Sequence, residues 1–391
     1  MPRFKRTFDE SLFYYQVGDS KTFNKFEAIK WANGDVSRIH FYFLDEVWDN
    51  MDMSVEPTET WSQLMRERCL QVRDQYKTLA ISYSGGYDSQ TILDYCILNN
   101  VMVDELVIST WEYFWEKGDW QQLEGKSAPL LAQWYKENKF PNLKISLLPR
   151  TVDYIVQIYQ RNSDDMLFVD NGEIGFVKHH RAMHLNNSDI GAGILAKNDK
   201  VILDGHEKPV LVIKDGWWHM TFPDTWMQFS INSPYESFYL SRDLPKLHLK
   251  QMHMMINWLE SFPATKITEV QDLLKKTERG NLDNWFYYQW NIAVGRTMVK
   301  HWNSFDCVTS GKGAGYPIGL FDTHTVGFVK RYGDLPVVRN AVRKWAYHTR
   351  NLIETYPTAF DQGRHKTVWT KSYAIKPVEP GREFGKTRAI L

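Results

Sequence analysis

Residues 84–89, with the sequence Ser-Gly-Gly-Tyr-Asp-Ser, separate two apolar segments of different character. The run before them, 78–83, is apolar and too short for a helix, which predicts a buried strand. The segment after them, 92–98, carries apolar residues at helical spacing. A strand, a glycine turn and a helix in this order begin a parallel βαβ unit, so the pattern indicates an α/β fold.

The same alternation continues along the chain. Short apolar runs at 105–109, 143–148 and 200–203 predict further strands, and a helix is expected between the first two, around 129–137. Crossovers between parallel strands are right-handed. The expected fold of residues 57–235 is therefore an α/β domain with a doubly wound parallel sheet.

Two other regions flank this domain in the prediction. Residues 1–56 contain alternating apolar stretches and predict a small β-rich N-terminal region. Within the α/β segment, an Asp-Gly pair between two apolar runs predicts a β-hairpin over 210–222. Residues 236–391 read as mainly helical, and their Lys-, Arg- and Gly-rich end, from 361, predicts a mobile basic tail.

Composition excludes several classes of protein. Lys and Arg together number 47, as do Asp and Glu, so no global charge attracts nucleic acid or an anionic membrane, and a local basic groove is the route left open to nucleic acid. No apolar run is long enough to span a bilayer, and the N-terminus lacks the apolar segment of a secretory signal. We therefore expect a cytoplasmic protein with no membrane partner. Cys69, Cys96 and Cys307 form neither a CxxC pair nor a disulfide framework, which predicts reduced, mostly buried thiols.

The glycine turn has the composition of a phosphate-binding loop. Its glycines permit close backbone approach to a ligand, and the N-terminus of the following helix favours an anion. The serine hydroxyls can donate hydrogen bonds, and Asp88 can hold a Mg²⁺ that neutralises a triphosphate. An ordinary serine-capped glycine turn is the alternative interpretation. The predicted nucleotide-binding residues are Ser84, Gly85, Gly86, Tyr87, Asp88 and Ser89.

These residues resemble the SGGxDS pyrophosphate loop of the N-type ATP pyrophosphatases, whose fold is of the adenine nucleotide alpha hydrolase type. Within that family the chain is most similar to the synthetase domain of asparagine synthetases and β-lactam synthetases. The segment 201–207 resembles the family's strand and acidic loop, and 316–324 resembles a second family segment. The resemblance extends over about residues 57–345.

The resemblance implies a ligase that uses ATP and Mg²⁺. Such enzymes activate a carboxylate as an acyl-AMP, release pyrophosphate and form an amide with ammonia or an amine. The acceptor is then a small or peptide-like carboxylate, and the amine donor comes from outside the chain. Asp88 and Glu207 are the implied metal ligands, with Asp204 an alternative to Glu207. A surface charge beside Lys208 is the other interpretation of Glu207.

Other positions acquire roles only through the same resemblance. Ser109 and Thr110, at the end of the second strand, match residues that contact adenosine, although a serine-threonine cap explains them equally well. Arg343 and Lys344 lie where family members carry a basic residue for the phosphates. The implied catalytic residues are Asp88, His206, Glu207, Arg343 and Lys344.

The chain also departs from the family pattern. It begins Met1-Pro2 and has no cysteine before Cys69, so no glutaminase domain is expected. His206 stands where the family has a general-base glutamate, which puts aspartate amidation in doubt. Two alternatives therefore stay open. One is an enzyme with this loop that modifies a nucleotide or a tRNA base, and the other is a catalytically degenerate ATP-binding regulator.

Overall fold

A computed structural model of the chain describes residues 13–22, 25–85, 87–111, 121–150, 200–205, 210–222, 224, 235–260, 336, 339–340, 351, 354–361, 364–365, 368–380 and 388–389. The helices are α1 (Lys25–Trp31), α2 (Asp45–Trp48), α3 (Trp61–Gln75), α4 (Tyr87–Leu98), α5 (Gln121–Asn138) and α6 (Pro245–Glu260). Short 3-10 helices cover Val36–Arg38 and Pro357–Ala359.

Fourteen β-strands lie within the described residues. They are β1 (Phe13–Val17), β2 (Ser20–Thr22), β3 (His40–Phe43), β4 (Thr78–Ser82), β5 (Glu105–Trp111), β6 (Lys144–Arg150), β7 (Lys200–Asp204), β8 (Val210–Lys214), β9 (Trp217–Thr221), β10 (Tyr235–Ser237), β11 (Phe360–Asp361), β12 (Arg364–His365), β13 (Tyr373–Pro377) and β14 (Arg388–Ala389).

A five-stranded parallel sheet forms the centre of the α/β part, in the order β10-β7-β4-β5-β6. The predicted strands at 78–83, 105–109, 143–148 and 200–203 are all present in it, which confirms the α/β class. The first of these strands, β4, is central. The chain adds β5 and β6 on one side of β4 and then β7 and β10 on the other, so the strand order reverses between β4 and β7.

The central strands are buried on both faces, which explains why their sequences are continuous apolar runs instead of alternating ones. Helix α3 packs against α4 and α6, and one side of it is buried. Thr60 caps its N-terminus through a reciprocal pair of hydrogen bonds with Gln63, as in a capping box. Helix α5 extends eight residues N-terminal to Pro129, further than the sequence indicates.

The hairpin predicted over 210–222 is confirmed. Strands β8 and β9 pair in antiparallel fashion, and their turn residues Asp215 and Gly216 have φ angles of 52° and 77°, as a type I′ turn requires. Strand β13 adds to β9 and β14 adds to β8, giving a four-stranded sheet. A separate three-stranded antiparallel sheet has the order β2-β1-β3.

Two clusters of buried apolar side chains hold these elements together. One lies around the parallel sheet and helices α3, α4 and α5. The other joins the N-terminal sheet, the β8–β9 hairpin, α6 and β13, which are distant in sequence. The division into 1–56, 57–235 and 236–391 stays a prediction. Among the described residues, the second cluster contains side chains from all three segments.

Two of the cysteines meet between α3 and α4. The Sγ atoms of Cys69 and Cys96 lie 3.7 Å apart, and both thiols are free and buried, as predicted. The hydrogen bond to Cys69, together with burial, raises the pKa of the Cys96 thiol well above its usual value. Cys307 lies outside the described residues. No helix in the described part of the chain is long and apolar enough to cross a bilayer.

Candidate functional site

The predicted site lies at the reversal of strand order between β4 and β7. The turn at 84–89 follows β4, and Gly205 follows β7, so both occupy the carboxyl edge of the parallel sheet. Ser109 and Thr110 lie near the carboxyl end of β5, the neighbour of β4 on its other side. Neighbouring loops diverge at such a reversal and leave a crevice that suits a ligand.

The turn itself is closed by its two serines. The backbone N–H of Ser84 donates to Oγ of Ser89 at 3.2 Å, and the two hydroxyl oxygens are 3.3 Å apart. Gly85 has a φ of 72°, a left-handed conformation that favours glycine. These bonds suit an ordinary serine-capped turn as well as a phosphate loop.

The end of β7 lies directly against Asp88. A Cβ atom added to Gly205 would lie 3.1 Å from Cβ of Asp88 and 3.2 Å from its carbonyl oxygen. Glycine is therefore the residue that lets the two segments meet at this distance. Asp88 itself is half-buried in the first turn of α4. Asp204, the last residue of β7, is buried.

A network of polar side chains lies beneath the turn. Tyr83 donates to Oε1 of Gln90 at 2.6 Å, and Nε2 of Gln90 lies 2.8 Å from Oδ1 of Asp94 and 2.7 Å from the hydroxyl of Tyr135. Burial raises the pKa of Asp94 to about 7, against the opposing effect of its hydrogen bonds. The network joins the end of β4 to α4 and α5.

The substitution Asp94→Asn should make stability less dependent on pH. In the folded protein Asp94 keeps a proton up to about pH 7, whereas the unfolded chain loses it near the usual value of 3.8. The folded state therefore loses stability as pH rises between these values. We expect the variant to exceed the wild type in free energy of unfolding at pH 8 by about 1–2 kcal/mol. The effect is limited to this size because Asp94 is partly exposed, so that solvent screens its charge.

Urea unfolding at pH 4 and pH 8 measures this difference. Asp74→Asn, which changes an exposed carboxylate on α3, is the matched control and should behave like the wild type at both pH values. An equal stability change at the two pH values for Asp94→Asn would contradict the assignment of the titrating group.

The structure brings together only part of the predicted site. Ser84 and Gly85 precede α4, and Tyr87, Asp88 and Ser89 form its first turn, so the helix begins within the predicted loop. Gly86, His206, Glu207, Arg343 and Lys344 lie outside the described residues, so their predicted roles stay predictions. Among the described residues, no group of three His, Cys, Asp or Glu side chains could hold a metal ion.

One residue of the site was not found from the sequence. Tyr239, which follows β10, donates a hydrogen bond from its hydroxyl to the backbone carbonyl of Asp88 at 2.9 Å. It is separated from Asp88 by 151 positions, and no motif or periodic pattern links the two. Only the placement of β10 beside β7 brings Tyr239 to the turn.

Comparisons with known proteins do not assign this arrangement to a family. The chain matches no protein-family profile, and no curated protein sequence matches it. Backbone N–H groups at a helix N-terminus, a glycine-permitted close approach and a half-buried carboxylate suit a polyphosphate accompanied by a divalent cation.

Proposed function

We propose that the chain is an ATP-dependent, AMP-forming ligase of the N-type ATP pyrophosphatase class, similar to the synthetase domain of asparagine synthetases. The parallel sheet of residues 57–235 is then its doubly wound ATP-binding domain. The observation that carries the proposal is the position of the SGGYDS turn, at the reversal of strand order and in contact with the end of β7 through Gly205 and Asp88.

Each described residue of the turn has a part in this proposal. Backbone N–H groups at the start of α4 bind the β- and γ-phosphates, which become the leaving pyrophosphate. The Ser84–Ser89 contact keeps the turn in shape, and Asp88 would hold Mg²⁺. A bound Mg²⁺ supplies positive charge that offsets the charge of the phosphates. Glu207 stays the proposed second carboxylate, with Asp204 as the alternative at the end of β7.

The proposed reaction is the one that the resemblance implies. A carboxylate oxygen of the acceptor attacks the α-phosphorus of ATP, and the bond from that phosphorus to the bridging oxygen of pyrophosphate breaks. The resulting acyl-AMP then reacts with ammonia or an amine, which forms the amide and releases AMP. Arg343 and Lys344 are the proposed cations for the phosphates, and His206 is a candidate base.

One observation favours a second candidate, an ATP-binding regulator without turnover. In the segment after β7 the family's general-base glutamate is replaced by His206, and Lys208 and Pro209 follow Glu207. Loss of the acidic groups would remove proton transfer while leaving the phosphate-binding turn unchanged. A protein of this kind binds ATP tightly and does not cleave it.

The test uses ATP labelled separately at its α- and γ-phosphates, with Mg²⁺ and the purified chain. Pools of amino acids with amines, and a pool of RNA, are added in separate reactions. Labelled AMP and pyrophosphate support the ligase, and the pool that stimulates their release identifies the acceptor class. ADP with phosphate contradicts the mechanism. Tight binding without cleavage supports the regulator, and stimulation by RNA supports the base-modifying alternative.

The substitution Gly205→Ala should weaken ATP binding. The added methyl group would lie 3.1 Å from the backbone carbon and Cβ of Asp88, so Asp88 must move by a few tenths of an ångström. We expect the dissociation constant for Mg²⁺-ATP, measured by titration calorimetry, to rise about tenfold, because the Asp88 carboxylate moves away from the position in which it would hold Mg²⁺. Gly18→Ala, between β1 and β2, is the control: its methyl group would meet nothing within 4 Å, and the strain expected from its φ of 57° should lower stability and not ATP affinity. Equal affinity of Gly205→Ala and wild type would contradict the contact.

A further inference from the structure

The backbone of Asp88 is also held by a residue from outside its own helix. The hydroxyl of Tyr239 donates to the Asp88 carbonyl oxygen at 2.9 Å, and Tyr239 is fully buried. This carbonyl belongs to the peptide that joins Asp88 to Ser89. Its orientation therefore also affects Ser89, whose hydroxyl accepts the Ser84 N–H that closes the turn.

Tyr239 is itself held in place by aromatic neighbours. The ring of Trp61 stacks on it with 6.3 Å between ring centroids and an interplanar angle of 5°. The neighbouring ring of Phe238 packs edge-on at 5.2 Å. Such contacts restrict the ring of Tyr239 to one position, with its hydroxyl directed at the turn. Binding of a ligand therefore costs no further conformational entropy of this side chain.

Helix α3 holds the backbone that carries Tyr239. The buried guanidinium of Arg68 donates to the carbonyl oxygens of Ser237 and Phe238, each at 3.1 Å, and forms an ion pair with Glu236. Trp61 and Arg68 are seven positions apart and share one face of α3. One helix face thus fixes both the ring of Tyr239 and the peptide before it.

We propose that Tyr239 is a positioning residue for the nucleotide loop: it fixes the Asp88–Ser89 peptide and so keeps the Asp88 carboxylate directed at the Mg²⁺-phosphate group. The inference rests on the proposed function. It assigns to β10 and α3 a role in the site that the residues of the loop do not perform by themselves. Tyr239 has no part in the bond-breaking step.

The substitution Tyr239→Phe removes the hydroxyl and keeps the ring that stacks on Trp61. Two measurements on the full chain test it: hydrogen exchange of the backbone amides in 84–92, followed by mass spectrometry without ligand, and calorimetric titration with Mg²⁺-ATP. Loss of one neutral hydrogen bond corresponds to about a fivefold effect. We expect exchange in 84–92 to accelerate about fivefold and the dissociation constant for Mg²⁺-ATP to rise by a similar factor.

Tyr15→Phe is the matched control. The ring of Tyr15 is fully buried like that of Tyr239, and its hydroxyl donates to the carboxylate of Asp224 at 3.1 Å, in the N-terminal sheet and not at the turn. It should leave exchange in 84–92 and Mg²⁺-ATP affinity within about twofold of the wild type, even where the thermal midpoint falls. A purely structural role for Tyr239 would lower the thermal midpoint in the same way and leave both readouts unchanged.

The two readouts separate this inference from the proposed function. Unchanged exchange in 84–92 for Tyr239→Phe overturns the inference, as does wild-type affinity for Mg²⁺-ATP. Accelerated exchange with weakened affinity supports it. If the wild type does not bind Mg²⁺-ATP, the proposed function is overturned, and so is the claim that Asp88 is directed at phosphates. Accelerated exchange in Tyr239→Phe would in that case still support the claim that Tyr239 anchors the peptide.

Discussion

The substitution Asp88→Asn is expected to reduce Mg²⁺-dependent release of pyrophosphate by at least about a hundredfold. Asn matches Asp in size, so the close contact with Gly205 and the hydrogen bond from Tyr239 to the backbone remain. The negative charge is lost, and with it the ligand proposed for Mg²⁺. Binding of Mg²⁺-ATP should weaken strongly, whereas metal-free ATP should bind the variant no worse than the wild type.

Radiolabelled pyrophosphate release measures the effect, and circular dichroism checks that the fold is intact. Asp74→Asn is the control, because it removes an exposed carboxylate from α3 without approaching the turn. Undiminished release by Asp88→Asn in the presence of Mg²⁺ would show that Asp88 is not the metal ligand. An ordinary serine-capped turn would then be the simpler interpretation of residues 84–89.

The largest loss of stability is expected from Lys25→Met. Lys25 begins α1, and its Nζ lies 2.7 Å from Oδ2 of Asp224, with both side chains almost completely buried. The hydroxyl of Tyr15 also donates to Asp224, at 3.1 Å. Removing one partner leaves the other buried without its counter-charge, so the free energy of unfolding should fall by about 3–5 kcal/mol. Burial already raises the pKa of Asp224 to about 6.

Urea unfolding at pH 8 measures this loss, and two variants test its cause. The double substitution Lys25→Met with Asp224→Leu should recover much of the lost stability, because both charges are removed together. Lys246→Met removes one partner of the exposed pair with Glu59 and should leave stability nearly unchanged. Equal destabilisation by Lys25→Met and Lys246→Met would contradict the role assigned to burial.

Local patterns in the sequence were sufficient for most elements near the site. Strand β4, the turn and helix α4 follow from apolar spacing and glycine placement within about twenty residues. The β8–β9 hairpin follows from Asp215 and Gly216, since these residues adopt the positive φ angles that its turn needs. Such features depend on backbone sterics and on which face is apolar, and neighbouring residues determine both.

Contacts between distant segments were not predictable in this way. The period-two burial of β13 is visible in its residues, but nothing in them indicates that β13 pairs with β9. Cys69 and Cys96 look unrelated in the sequence and are in contact in the folded chain. The polar network around Asp94 likewise depends on the packing of α5 against the sheet, which brings Tyr135 to Gln90.

Local sequence patterns are sufficient to predict that residues 78–98 form a strand, a glycine turn and a helix, with Asp88 in the turn. The folded chain adds that α4 begins at Tyr87, so that Asp88 lies in its first turn, and that Gly205 from β7 and the hydroxyl of Tyr239 beyond β10 lie against Asp88. The reason is physical. Dihedral preferences and apolar periodicity act over a few residues, whereas strand order is decided by the burial of whole faces, which sums over the entire chain.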